Sequence, residues 1–93
     1  MVHATADGVV LDVGQHSGYG RVVILDHGFG VTTWYGHLSR YTVPEGTQVK
    51  RGDVIGYAGV SGRTTGPHVH YEVRIKDAPV NPMRYLRSTS SAD

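Results

Sequence analysis

Along most of this chain apolar and polar residues alternate with a period of two, the pattern of strands that bury one face. Residues 2–6 read as a short strand, Asp7-Gly8 as a tight turn, and Val9-Val10-Leu11-Asp12-Val13 as the next strand. Gln15-His16-Ser17-Gly18-Tyr19-Gly20 reads as a loop. Residues 21–26 and 31–38 are β-branched and aromatic runs joined by His27-Gly28-Phe29-Gly30, which predicts a glycine-turned hairpin. In its second arm the alternation places Val31, Thr33, Tyr35 and His37 on one face and Thr32, Trp34, Gly36 and Leu38 on the other, with Trp34 and Leu38 as the core candidates. Glycines punctuate short apolar pairs across residues 41–59, which predicts a folded β corner rather than a helix. A loop over residues 60–65 leads to a strand over 68–75, closed by Lys76-Asp77-Ala78-Pro79. Residues 80–86 predict a short C-terminal helix capped by Asn81 with Pro82 at its first position, followed by a serine-rich tail expected to be mobile. The expected fold class is all-β and antiparallel. Residues 5–10 and 50–55 are faintly alike, which leaves an internal duplication open.

Composition narrows the function more than the fold. A chain of 93 residues is one domain. Its net charge is +1 and its charges are dispersed, so neither a nucleic-acid partner nor a membrane surface is expected. Hydrophobic content of 39% with 13 glycines suits a compact, turn-rich β protein. The absence of cysteine excludes disulfides and thiolate metal sites. No stretch resembles a signal peptide or a membrane span.

The chemistry gathers in Thr65-Gly66-Pro67-His68-Val69-His70-Tyr71-Glu72-Val73. Strand alternation sends His68 and His70 to one face and Val69, Tyr71 and Val73 to the other. Two imidazoles on one face suit metal binding or proton transfer, because neutral imidazole does both near neutral pH. Glu72 shares that face and reads as a solvated strand carboxylate, with orientation of an imidazole as the alternative. His37 lies near the end of its strand, on a face able to turn toward His68 and His70. His3 reads as an edge residue and a remote ligand candidate, His16 as solvent-facing, and His27 as a turn residue. Gly18-Tyr19-Gly20 lacks the following helix that a phosphate cradle requires, and Lys50-Arg51 reads as a solvated turn.

Tyr35-Gly36-His37-Leu38-Ser39, the corner at residues 49–59, Thr65-Gly66-Pro67-His68-Val69-His70-Tyr71-Glu72 and Val80-Asn81-Pro82 together resemble the lysostaphin-type, or LytM-like, zinc endopeptidases that cut peptidoglycan cross-bridges. The resemblance spans residues 2–86 and implies bent antiparallel sheets of the duplicated hybrid motif type. It implies His70 as a zinc ligand, with His37 and His68 as the catalytic pair. The other two ligands in that family come from an upstream His-x-x-x-Asp motif. Here only His3 and Asp7 stand at that spacing, in a segment that matches a different part of the family. The expectation is therefore an N-terminally incomplete peptidase domain over residues 2–87 with a tail over 88–93, binding zinc weakly or not at all.

The resemblance implies hydrolysis of peptidoglycan peptides in the cell envelope, periplasmic or extracellular, with this chain inactive alone. The alternative is a non-catalytic LytM-like module that binds peptidoglycan or activates a cell-wall amidase, although a decayed site has little reason to keep all three histidines. A carrier domain with glycine-punctuated corners is a third reading, but Lys50 lacks the flanks of a modified lysine. Missing upstream strands would expose sheet edges and favour self-association.

Overall fold

The computed structural model describes residues 1–59, 69–76 and 78–80. Its elements are the strands β1 (Val2–His3), β2 (Gly8–His16), β3 (Gly20–Gly28), β4 (Val31–Tyr41), β5 (Gln48–Val49), β6 (Val54–Ala58), β7 (His70–Ile75) and β8 (Ala78–Val80). All pairs are antiparallel, in the sheet order β1-β6-β4-β3-β2-β5, with β7 on β4 and β8 on β7. The all-β antiparallel expectation holds. The expected C-terminal helix, the tail, the 60–65 loop and His68 lie outside the described residues. Val80, expected at the start of that helix, instead ends β8. Ala78 and Pro79, read as a closing turn, pair with Ile75 and Arg74. The edge position of β8 tolerates a proline that a central strand would reject.

Two hairpins build the centre. The β3–β4 turn is the residue pair Phe29 and Gly30, with φ of 56° and 76°. A two-residue hairpin of the favoured hand requires positive φ at its central positions, which Gly30 accepts freely and the fully exposed Phe29 accepts at a cost. The β2–β3 hairpin turns through residues 17–19, with His16 facing Gly20. Its predicted loop is shorter than the sequence suggested, because His16 and Gly20 belong to the strands.

The corners at residues 4–8 and 50–53 lie against each other. Ala4 N donates to Asp53 O and Gly52 N to Ala4 O, while Asp7 Oδ1 accepts from Arg51 N and Asp53 Oδ2 from Lys50 N. Each short corner strand pairs with the arm beyond the other corner, β1 with β6 and β5 with β2. The carboxylates of Asp7 and Asp53 satisfy backbone amides that a sharp turn would otherwise leave unpaired.

The core holds Val2, Ala4, Val10, Val23, Leu25, Tyr35, Leu38, Val49 and Ile55, with Val69 and Tyr71 packed against it. On β3, Val22 and Ile24 are buried as well, so this central strand is covered on both faces. Tyr35 is buried with its hydroxyl in a chain of partners. Thr33 Oγ1 stands at 2.8 Å from it, Thr5 Oγ1 at 2.9 Å, and Thr5 Oγ1 continues to the Tyr71 hydroxyl at 3.0 Å. His27 joins the same chain through Thr33 at 2.7 Å and sits 2.6 Å from the Asp7 carbonyl oxygen. A phenol in a core needs such partners, since an unpaired buried hydroxyl costs about 1–3 kcal/mol.

The core assignment on β4 differs from the alternation. Trp34 lies off the core, half-buried beside Tyr19 and Arg74, whereas Tyr35 and Leu38 both point into it. The cause is a bulge. Tyr35 pairs with Val23 and Leu38 with Arg21, so Gly36 and His37 together oppose the single residue Val22 and the parity flips between Tyr35 and Leu38.

Candidate active site

That bulge sits at a fork in the sheet. One edge of β4 pairs with β3 from Val31 to Leu38, but its other edge pairs with β7 from Val31 to Gly36 and with β6 from Leu38 onward. His37 occupies the point where the partner changes. Its φ is 60°, a left-handed conformation that costs a non-glycine residue on the order of 1–3 kcal/mol and is retained only where surroundings impose it. Those surroundings are visible: His37 N donates to Tyr19 O at 2.6 Å, and Gly59 N donates to His37 O at 3.0 Å. On a regular strand His37 would follow Tyr35 into the core. The bulge instead brings its buried ring to the ring of His70, 5.8 Å between centroids and nearly perpendicular.

His70 opens β7 directly opposite Gly36. A Cβ on Gly36 would stand 3.2 Å from Tyr19 O and 3.4 Å from His70 Cβ, so glycine is what lets the β2–β3 turn and the His70 ring close over β4. The Tyr19 ring meets His70 edge-on at 5.1 Å. Alternation along β7 holds as the sequence predicted. Val73 is buried and Tyr71 packs on the core, while His70, Glu72 and Arg74 share the opposite face with Trp34.

Glu72 departs from the solvated reading. Its side chain is only 13% exposed. Oε1 accepts from the Tyr19 hydroxyl at 2.9 Å and lies 3.3 Å from His70 Nε2, while Oε2 accepts from Arg74 Nε. Burial pushes the Glu72 carboxyl upward, but the bonds from Arg74, Tyr19 and His70 outweigh it and hold the group below the usual range. The Arg74 guanidinium lies 3.7 Å above the Trp34 ring and also donates to the Tyr19 hydroxyl at 3.1 Å. Tyr19 and Arg74 were not singled out by the sequence. Arg74 had a usable signal in its parity with His70 and Glu72; Tyr19 had none, since only the hairpin brings it there.

The remaining histidines separate from this site. His16 is bonded to Asp12 at 2.8 Å and meets the Trp34 ring edge-on, so it is half-buried at the margin rather than free in solvent. That hydrogen bond lowers the Asp12 pKa. His27 belongs to the hydroxyl chain of the core, and His3 is exposed on β1 opposite Val54. Asp7 is committed to the corner through Arg51 N. Among the described residues no three His, Cys, Asp or Glu side chains gather to hold a metal. A catalytic zinc takes three protein ligands, so the described residues do not by themselves fit a zinc centre, although His70 suits the part of one ligand.

The chain is similar to several known proteins. The curated relatives include the DD-carboxypeptidase/endopeptidase Mpg of Neisseria meningitidis, 51% identical over 82 residues that make up 88% of this chain and 19% of that protein. The murein hydrolase activator EnvC of Escherichia coli is 38% identical over 85 residues, 91% of this chain and 20% of that protein. The chain thus spans about a fifth of the length of these relatives. Among solved structures, a zinc-containing peptidase from Vibrio cholerae superposes with a TM-score of 0.81 at 41% identity, over 86% of this chain and 25% of that one. Lysostaphin from Staphylococcus simulans superposes with a TM-score of 0.88 at 32% identity, over 96% of this chain and 40% of that one. Peptidase family M23, a family of zinc metallopeptidases, matches residues 1–82, which include both the forked β4 and the histidine strand. With that match over most of its length, the chain belongs to peptidase family M23.

Proposed function

We propose that this chain is part of a domain that hydrolyses peptide cross-links of peptidoglycan in the cell envelope, with His37 and His68 as its catalytic imidazoles and His70 as a zinc ligand. The observation that carries this reading is the bulge at Gly36 and His37, which holds a buried histidine in a costly conformation against the ring of His70. A purely binding module has no need of that strain. Amide hydrolysis needs a group that takes a proton from water and returns one to the leaving amine, and an imidazole held in place does both. His37, fixed through its backbone to Tyr19 and Gly59, supplies such a group with little freedom to reorient.

The test is digestion of purified peptidoglycan by the protein that carries this domain, followed by separation of the muropeptides. Cross-linked dimers are expected to fall as monomers rise. Unchanged dimers, together with faster cleavage by an added amidase, would replace hydrolysis with the role of an amidase activator. The zinc reading has its own check. The described residues gather no three-ligand set, and the 93-residue chain is expected to show no tight uptake in a calorimetric zinc titration. Tight one-to-one binding would overturn it.

A further inference from the structure

We propose that Glu72, clamped by Tyr19 and Arg74, is a positioning residue that locks His70 in the tautomer protonated at Nε2 and so leaves Nδ1 as the ring's electron-pair donor. Donor and acceptor capacity decide which ring nitrogen carries the proton. An ionised carboxylate only accepts, and a neutral imidazole carries one proton between its two nitrogens. With Nε2 beside Glu72 Oε1 at 3.3 Å, the proton belongs on Nε2 and the lone pair on Nδ1. Among the described residues Nδ1 has no hydrogen-bond partner.

The carboxylate is held too firmly to follow the ring. Tyr19 O–H donates to Oε1 at 2.9 Å, Arg74 Nε donates to Oε2, and Arg74 Nη2 donates to the Tyr19 oxygen at 3.1 Å, which closes a triangle of three side chains. Trp34 lies under the guanidinium and Tyr19 packs on both Trp34 and His70. These contacts join the β2–β3 turn, β4 and β7. A charged acceptor fixed by two donors that are bonded to each other orients a ring more strictly than a free surface glutamate does. The value of a defined lone pair for hydrolysis rests on the function proposed above; the tautomer itself does not.

The test is nitrogen-15 NMR of the ring nitrogens of His70 in the metal-free chain at roughly pH 8, above the ordinary imidazole range. Wild type is expected to show a protonated Nε2 and an unprotonated Nδ1. Glu72→Ala is expected to reduce the ratio of that tautomer to the other by about tenfold, and Tyr19→Phe, which deletes one hydroxyl, to shift it less in the same direction. Core methyl resonances report whether each variant keeps the fold, and the Tyr19→Phe result decides the matter if Glu72→Ala does not. A wild-type proton on Nδ1, or an unchanged ratio in a folded variant, would overturn the proposal. Because no turnover is measured, a locked His70 in a protein without hydrolytic activity would sink the peptidase reading and leave this one standing.

Discussion

Replacing His37 by alanine is expected to slow cross-link hydrolysis by about 10²–10⁴-fold in the protein that carries this domain. The ring is buried beside His70 at the point where β4 changes partners. The effect should fall on chemistry rather than folding. Alanine keeps a Cβ, so the strain of a left-handed φ of 60° is carried by both proteins alike. The backbone bonds to Tyr19 and Gly59 also survive the change. The measurement is the single-turnover rate on cross-linked muropeptides, beside a thermal unfolding scan that certifies the fold. Activity within about threefold of wild type would remove His37 from the chemistry.

Leu38→Ala should give the largest loss of stability, about 2–5 kcal/mol, or a fall in Tm on the order of 10–30 °C for a domain of this size. Leu38 is fully buried in the first regular position after the bulge and packs where β4 leaves β7 for β6. On the β6 side there is no side chain to swing into the gap. Gly56 faces it, and even a Cβ there would stand 2.7 Å from the Arg40 carbonyl oxygen and 3.1 Å from Leu38 Cδ1. The cavity therefore stays open instead of collapsing. Denaturant unfolding with an unchanged m-value would measure it, and a loss below about 1 kcal/mol would mean that the fork relaxes more than its packing implies. Leu38 directly follows His37 on β4, so the same variant should weaken hydrolysis at temperatures where wild type is still folded.

The residues that carry these expectations were not equally legible. Alternation placed Tyr71 and Val73 on the core side of β7 and His70 and Glu72 on the other, and the structure agrees, because the two-residue period is local to any regular strand. The same rule failed on β4. It grouped Trp34 with Leu38 in the core and His37 with Tyr35, since a bulge cannot be read from one strand without its partner. Glu72 looked solvated for a related reason: Tyr19 lies 53 positions away and reaches it only through the folded hairpin.

By itself, then, the sequence determined an all-β chain of hairpins and glycine corners, and a histidine strand whose two faces differ in character. Those follow from backbone periodicity and turn chemistry, which act over a few residues. Tertiary structure alone decided that β4 changes partners at His37, that the resulting bulge turns this histidine onto His70, and that Tyr19 and Arg74 converge on Glu72. Each is a contact between distant segments, set by which strand edges pair and where a missing side chain at Gly36 lets them close.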